Sequence, residues 1–159
     1  MVSIETYKDN YKADWNNFVD SSKNSTFLFN RDFMDYHSDR FEDFSLMVYE
    51  KSELIALLPL NIIENKVYSH QGLSYGGLIV KNNIKFQKFL ELFIQILKYL
   101  NKKSVDKLFI KQIPLIYNSN FNGELDYLSF MTGCNIYRRD IISVIDMQNS
   151  LKISKDRIQ

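Results

Sequence analysis

The chain has 159 residues, the size of one domain. It is 45% hydrophobic, 14% aromatic and 25% charged, which supplies a core and excludes a disordered chain. A formal net charge of +1, with lysines scattered along the sequence, excludes a global field that would draw the protein onto nucleic acid or an anionic membrane.

Residues 2–7 alternate in polarity and predict a first strand. Residues 12–21 place Trp15, Phe18 and Val19 three and four apart, one apolar face of a helix. Residues 21–26 form a polar turn. Asn30 is suited to cap a second helix that turns Phe33, Met34 and Phe41 inward and carries His37 as a structural residue. Residues 44–49 and 54–63 read as two strands of a hairpin around a turn at 50–53. Pro59, which lacks an N–H, implies a bulge, an edge or a break in the second strand.

After a turn at Asn65-Lys66 come short strand pieces at 67–69 and 78–80. Asn82 and Asn83 precede the strongest helical pattern. In it Phe86, Phe89, Leu90, Phe93, Ile94, Leu97 and Leu100 make an apolar stripe opposite Lys88, Glu91, Gln95 and Lys98. Lys102, Lys103 and Lys107 read as the solvated end of that helix. Residues 107–113 predict a strand stopped at Pro114, and residues 124–131 a helix ended by Gly133. Residues 135–137 and 140–146 read as a final strand pair. One domain is expected over 1–147, followed by a polar tail at 148–159. Helices between strands in one small domain indicate α/β or α+β with a mixed, mostly antiparallel sheet flanked by helices.

The chemistry-bearing stretch is residues 68–78, Tyr-Ser-His-Gln-Gly-Leu-Ser-Tyr-Gly-Gly-Leu. Gly72, Gly76 and Gly77 let backbone approach a ligand or another strand. His70, Gln71, Ser74 and Tyr75 add a proton carrier, an amide and hydroxyls. His70 reads either as a general base, its ordinary pKa lying near 6.5, or as a structural histidine. Gln71, Ser74 and Tyr75 read as acceptor contacts or as a polar turn. Lys111 and Tyr117 flank Pro114 at a strand end. Of Arg138 and Arg139 only one can face a cleft, where it could pair with a phosphate of the acceptor; the bland reading has one solvated and the other paired with Asp140 or Glu124. Glu124 and Asp126 suit the start of a helix.

The single cysteine, Cys134, excludes an intrachain disulfide and reads as a buried structural thiol. Residues 1–5 have no signal-peptide character, and no apolar run approaches the roughly 18 residues of a membrane span. A cytoplasmic protein is expected, without nucleic-acid partner or metal. Richness in Asn, Lys and Ile with two alanines hints at an AT-rich bacterial genome.

The segments STFLFNRDFMDYHSDRFEDFSLMVY, YSHQGLSYGGLIV, KQIPLIYNSNFNGELDYLSF and YRRDIISVIDM resemble the N-terminal half of bacterial GNAT-like acyltransferases related to the Fem-type peptidoglycan aminoacyltransferases. The resemblance spans roughly residues 12–157 and implies one of two acyl-CoA N-acyltransferase folds in tandem. It further implies acyl or aminoacyl transfer to an amine of a sugar or cell-surface precursor. In that superfamily the acyl-CoA pyrophosphate lies on a Gln/Arg-x-x-Gly-x-Gly/Ala loop opening a helix, and here residues 80–85 hold no glycine. The resemblance therefore places acyl-CoA binding (acetyl-CoA included) in a missing C-terminal half, with none expected on this chain alone. His70 is then the catalytic candidate. Gln71, Ser74, Tyr75, Gly76, Gly77, Lys111, Tyr117 and Arg138 are the substrate-binding candidates for a small-molecule amine. The missing half, or a homodimer, covers exposed apolar surface. The alternative is a non-catalytic, degenerate GNAT-fold module that binds a protein partner.

Overall fold

A computed structural model of the chain describes residues 2–117 and 123–143. Strand β1 (Val2–Thr6) pairs antiparallel with β3 (Leu46–Glu50), which pairs with β4 (Glu53–Leu58), and β4 with β7 (Ile79–Val80). A second ladder runs β2 (Glu42–Asp43), β5 (Asn61–Ile63), β6 (Lys66–Tyr68) and β8 (Lys107–Phe109), parallel only between β6 and β8. The two ladders share their chain. β2 runs into β3 across Phe44-Ser45 and β4 into β5 across Pro59-Leu60. The Phe44 N–H donates to the Leu60 carbonyl at 2.9 Å, and the Leu60 N–H to the buried Ser45 hydroxyl at 3.1 Å. The expected strand over 54–63 is thus two strands, parted where Pro59 removes a donor.

Side chains alternate between two cores, as period 2 requires. Leu46, Val48, Ala56, Leu58, Leu78 and Val80 face helix α3 (Phe86–Lys102), whereas Met47, Leu57 and Ile79 face helix α1 (Lys12–Ser21) and the segment carrying Leu28, Phe29 and Met34. This three-layer, mostly antiparallel α+β arrangement is the expected fold class. Trp15, Phe18 and Val19 are buried as predicted.

The hairpin between β3 and β4 turns on Lys51 (φ +49°) and Ser52 (φ +69°), both left-handed, so it uses a type I′ loop without the glycine or asparagine that such loops favour. Lys51→Asn with Ser52→Gly is expected to stabilise the fold by about 1 kcal/mol in urea titrations; no gain would show that the strain is relieved elsewhere.

Several sequence expectations need correction. Asn30 does cap its helix, accepting from the Asp32 N–H at 3.0 Å, but α2 (Arg31–Met34) is one turn long and Phe33 is exposed, leaving Met34 as the inward residue and Phe41 half-buried. In α3 the buried face is Phe89, Leu92, Phe93, Ile96 and Leu100, while Phe86, Ile94 and Leu97 are exposed. The strand expected over 107–113 ends at Phe109, because only an isolated parallel bridge, Gly76 to Gln112, follows it. Helix α4 (Glu124–Met131) forms as predicted. Cys134 is exposed rather than buried, since it follows the last turn of α4, where the chain leaves the core. Residues 135–143 form no strand, and the rest of the expected pair lies outside the described residues, as does the tail. Lys102, Lys103 and Lys107 are solvated as expected. Among the described residues no helix is long and apolar enough to cross a membrane.

Candidate functional site

The glycine-rich segment crosses from β6 to β7 as a pinned loop. Ser69 is buried; its N–H donates to the Phe109 carbonyl at 2.8 Å and its hydroxyl accepts the Lys111 N–H at 2.7 Å. The Gly76 N–H donates to the Lys111 carbonyl at 2.6 Å, and the Lys111 ammonium donates to the Leu73 carbonyl. Both ends and the middle of the loop are therefore tied to one residue of the segment after β8. Gly76 is required by space: a Cβ there would lie 2.5 Å from the Ser69 carbonyl oxygen. Gly77 is required by backbone, at φ +119°.

Within the loop His70 is left-handed (φ +52°), only 4% exposed, and packs edge-on to Phe41 at 5.9 Å. Gln71 exchanges two bonds with the fully buried Asn61, its N–H donating at 2.7 Å and its Oε1 accepting at 2.9 Å. Tyr75 is buried; its hydroxyl donates to Thr26 at 3.1 Å and its ring lies 5.3 Å from that of the half-exposed Tyr117. Ser74 is exposed, and Gly72 is half-buried. Arg138 is exposed and pairs with Asp140 at 2.8 Å, the bland outcome foreseen for one of the two arginines; Glu124 pairs instead with Lys23.

Next to this loop is a half-enclosed cleft of about 250 Å³, between the segment Gly76–Ile79 leading into β7, the segment at Gln112–Leu115 and the first turn of α4. Of the residues singled out from the sequence as site candidates, Gly76 and Gly77 line it; His70, Gln71, Ser74, Tyr75, Lys111, Tyr117 and Arg138 do not. The cleft's other walls, Phe29, Phe89, Ile113, Leu125 and Ile142 among them, carried no signal in the sequence beyond ordinary core character. Asn24, read as part of a polar turn, is buried and binds β7 from the side: its amide donates to the Leu78 carbonyl at 2.8 Å and accepts the Val80 N–H at 3.0 Å.

Desolvation of the ammonium end of Lys111, with the Arg138 charge next, lowers its pKa below the ordinary lysine value, although much of the side chain is exposed. Lys88 is shifted the other way, chiefly by its bond to Glu50. At alkaline pH Lys111 therefore holds the larger neutral fraction. Competitive labelling with acetic anhydride is expected to give Lys111 the lower midpoint by mass spectrometry; the reverse order would contradict the burial of its amine.

The start of α3 is where the resemblance would place a diphosphate cradle, and the segment leading into it, residues 80–85, has no glycine and is partly engaged elsewhere. Such a cradle needs free N–H groups and little side chain. The Lys81 N–H is taken by the carbonyl of Ile55 at 3.2 Å, a residue that a bulge in the β3–β4 ladder sets aside, and the Ile84 N–H by the Lys81 carbonyl at 3.2 Å. The Asn82 amide donates to the Ser21 carbonyl at 2.9 Å, the Lys23 N–H to the Val80 carbonyl at 2.9 Å, and Lys81 pairs with Glu53. The end of α1 is thus stitched to this loop. Among the described residues no cluster of three His, Cys, Asp or Glu is arranged to hold a metal.

No protein-family model matches the chain, and no curated protein matches it in sequence. In structure it is similar to an aminoglycoside N-acetyltransferase in complex with CoA, with a TM-score of 0.54 and 9% identity over 91% of this chain and 95% of that one. It is also similar to an aminoglycoside acetyltransferase from an uncultured soil metagenomic sample, at 0.53 and 12% over 92% and 98%. A transcriptional regulator from Bacillus halodurans C-125 matches at 0.53 and 7% over 91% and 100%. At these identities the likeness shows the fold: a single copy of the GNAT-like acetyltransferase architecture.

Proposed function

We propose that this chain is one GNAT-like half of an N-acyltransferase that moves an acyl or aminoacyl group to an amine of a sugar or cell-surface precursor. It supplies acceptor-side and interdomain contacts, while a second GNAT-like half seats the acyl-CoA. The observation that carries this reading is the combination of an acetyltransferase fold with a glycine-free segment ahead of α3 in which the Lys81 and Ile84 N–H groups and the Lys81 and Asn82 side chains are already engaged. Calorimetry is expected to show no acetyl-CoA binding by the chain alone; micromolar affinity would overturn the division of labour.

In this reading the amine must lose a proton before it attacks, and His70 is the proposed acceptor of that proton. What supports it is its place, in the loop that Lys111 pins next to Gly76 and Gly77. Ser74, Gln71, Tyr117, Lys111 and Arg138 are exposed and are the proposed acceptor contacts, with Tyr75, Gly76 and Gly77 shaping the ground beneath them. No covalent intermediate is required.

The proposed place for the second half is the surface around the end of α4, where Phe130 is 80%, Tyr137 85% and Ile141 98% exposed. A homodimer covering the same surface is the competing arrangement, and sedimentation of the chain, alone and with a coexpressed second half, separates the two. The engaged α3 start also favours a second reading, a non-catalytic module that binds a protein partner. An in-frame downstream coding sequence with a glycine-bearing pyrophosphate loop supports the enzyme; a stop codon and an independent promoter support the module.

A further inference from the structure

We propose that the outward face of α3 is an interface at which the chain pairs with a second copy of itself, the two helices lying antiparallel. The inference does not rest on the acyltransferase reading, and it concerns α3 rather than the end of α4.

Pattern is the first argument. The buried residues of α3, Phe89, Leu92, Phe93, Ile96 and Leu100, already face the core. A second apolar stripe remains, Leu90, Ile94 and Leu97, four and three apart. Leu90 is half-buried, Ile94 is 40% and Leu97 38% exposed. Gln87 and Asn101, both exposed, continue the stripe one turn each way. That is the narrow spacing of a seam between two helices, not the broad face that a core needs. On one flank Phe86 meets Tyr127 of α4 edge-on at 5.4 Å, and both rings are exposed, so the apolar surface widens there.

Charge selects the occupant. The other flank carries Glu91 and Lys98, opposite in sign and both exposed. Among the described residues Lys98 takes part in no ion pair, and Glu91 is the more distant of two partners of Lys88, at 3.1 Å. A two-fold axis near Gln95 lays α3 antiparallel on its copy. Ile94 then meets the copy's Leu97, and Glu91 comes opposite the copy's Lys98, each contact made twice. A parallel copy would set Glu91 on Glu91 and Lys98 on Lys98. The seam is short, so the pair is a reversible one, half formed on the order of 100 μM.

The test is sedimentation velocity of the chain from about 5 μM to about 1 mM in fresh reductant. The expected result is a monomer–dimer equilibrium, with amide shifts at Leu90, Ile94 and Leu97 that grow with concentration. Ile94→Lys is expected to weaken the pair more than about tenfold, with Leu97→Lys as the second variant if the first lowers the unfolding midpoint. Glu91→Lys and Lys98→Glu should each weaken it about threefold or more, and the double exchange, which restores both contacts in the opposite sense, should recover it. A monomer at every concentration overturns the proposal, whatever else the stripe binds. So does a dimer that survives both lysine variants of the stripe and is lost in Phe130→Lys, because the pairing is then at the end of α4. A double exchange that fails to recover the pair overturns the antiparallel arrangement.

Discussion

Trp15→Ala is expected to cost the fold about 3–5 kcal/mol, a large share of the roughly 5–15 kcal/mol that holds a domain of this size. Trp15 is fully buried, and its indole N–H donates to the Phe29 carbonyl at 2.8 Å. It also forms one side of a slot for a buried cation. The Arg31 guanidinium lies 3.4 Å from the centroid of Tyr7 and 4.1 Å from that of Trp15, and pairs with Asp43. Among the described residues its Nε and Nη2 have no hydrogen-bond partner, and the ring faces compensate their lost water. Removing the indole opens a cavity, strands the Phe29 carbonyl and takes away one ring face. Urea unfolding followed by circular dichroism should show a lower midpoint at an unchanged slope. Trp15→Phe, which keeps a ring but loses the donor, should fall between wild type and alanine. A loss below about 1 kcal/mol for alanine would show that the slot collapses without consequence.

Gly76→Val is expected to cost about 3 kcal/mol or more, and even Gly76→Ala should be felt. The new Cβ would meet the Ser69 carbonyl oxygen at 2.5 Å and the Ser69 Cβ at 2.8 Å. Neither can swing away: Ser69 is fixed through its N–H to Phe109 and its hydroxyl to Lys111. The strand must therefore shift, and with it the Gly76 bond to Lys111 and one wall of the cleft. Gly123→Ala is the matched control, because no described residue lies within 4 Å of the added carbon; it should change stability by less than about 0.5 kcal/mol. Equal losses for the two would show that crowding at Gly76 is not what matters.

The hairpin, Pro59 and the ends of α1 and α4 were legible in the sequence because each rests on a local signal: alternation, a missing donor, a helical spacing. The buried face of α3 was not. The helix carries apolar residues around more than half its circumference, so a stripe through Phe86, Ile94 and Leu97 and one through Leu92 and Ile96 satisfy the same period. Tertiary packing chose between them. The thiol at Cys134 was misjudged for a related reason: its neighbours Gly133 and Ile136 look inward by composition, yet they follow the last turn of α4, and Ile136 is itself exposed. At the candidate site the glycine segment announced itself by composition, whereas the reasons for its glycines, crowding of Gly76 against Ser69 and the φ of +119° at Gly77, emerge only in the fold. The cleft did not, because Phe89, Ile113 and Leu125 come from three separate elements and each alone is an ordinary core residue.

The outward position of Cys134 makes this protein easy to instrument. One maleimide dye per molecule, placed without any engineering, would sit a few residues from Phe130 and Tyr137. Its emission should change when something settles on that side. The same sulfur will cross-link molecules in air, so sedimentation and light-scattering measurements belong in fresh reductant, where an apparent pair cannot be a covalent artefact.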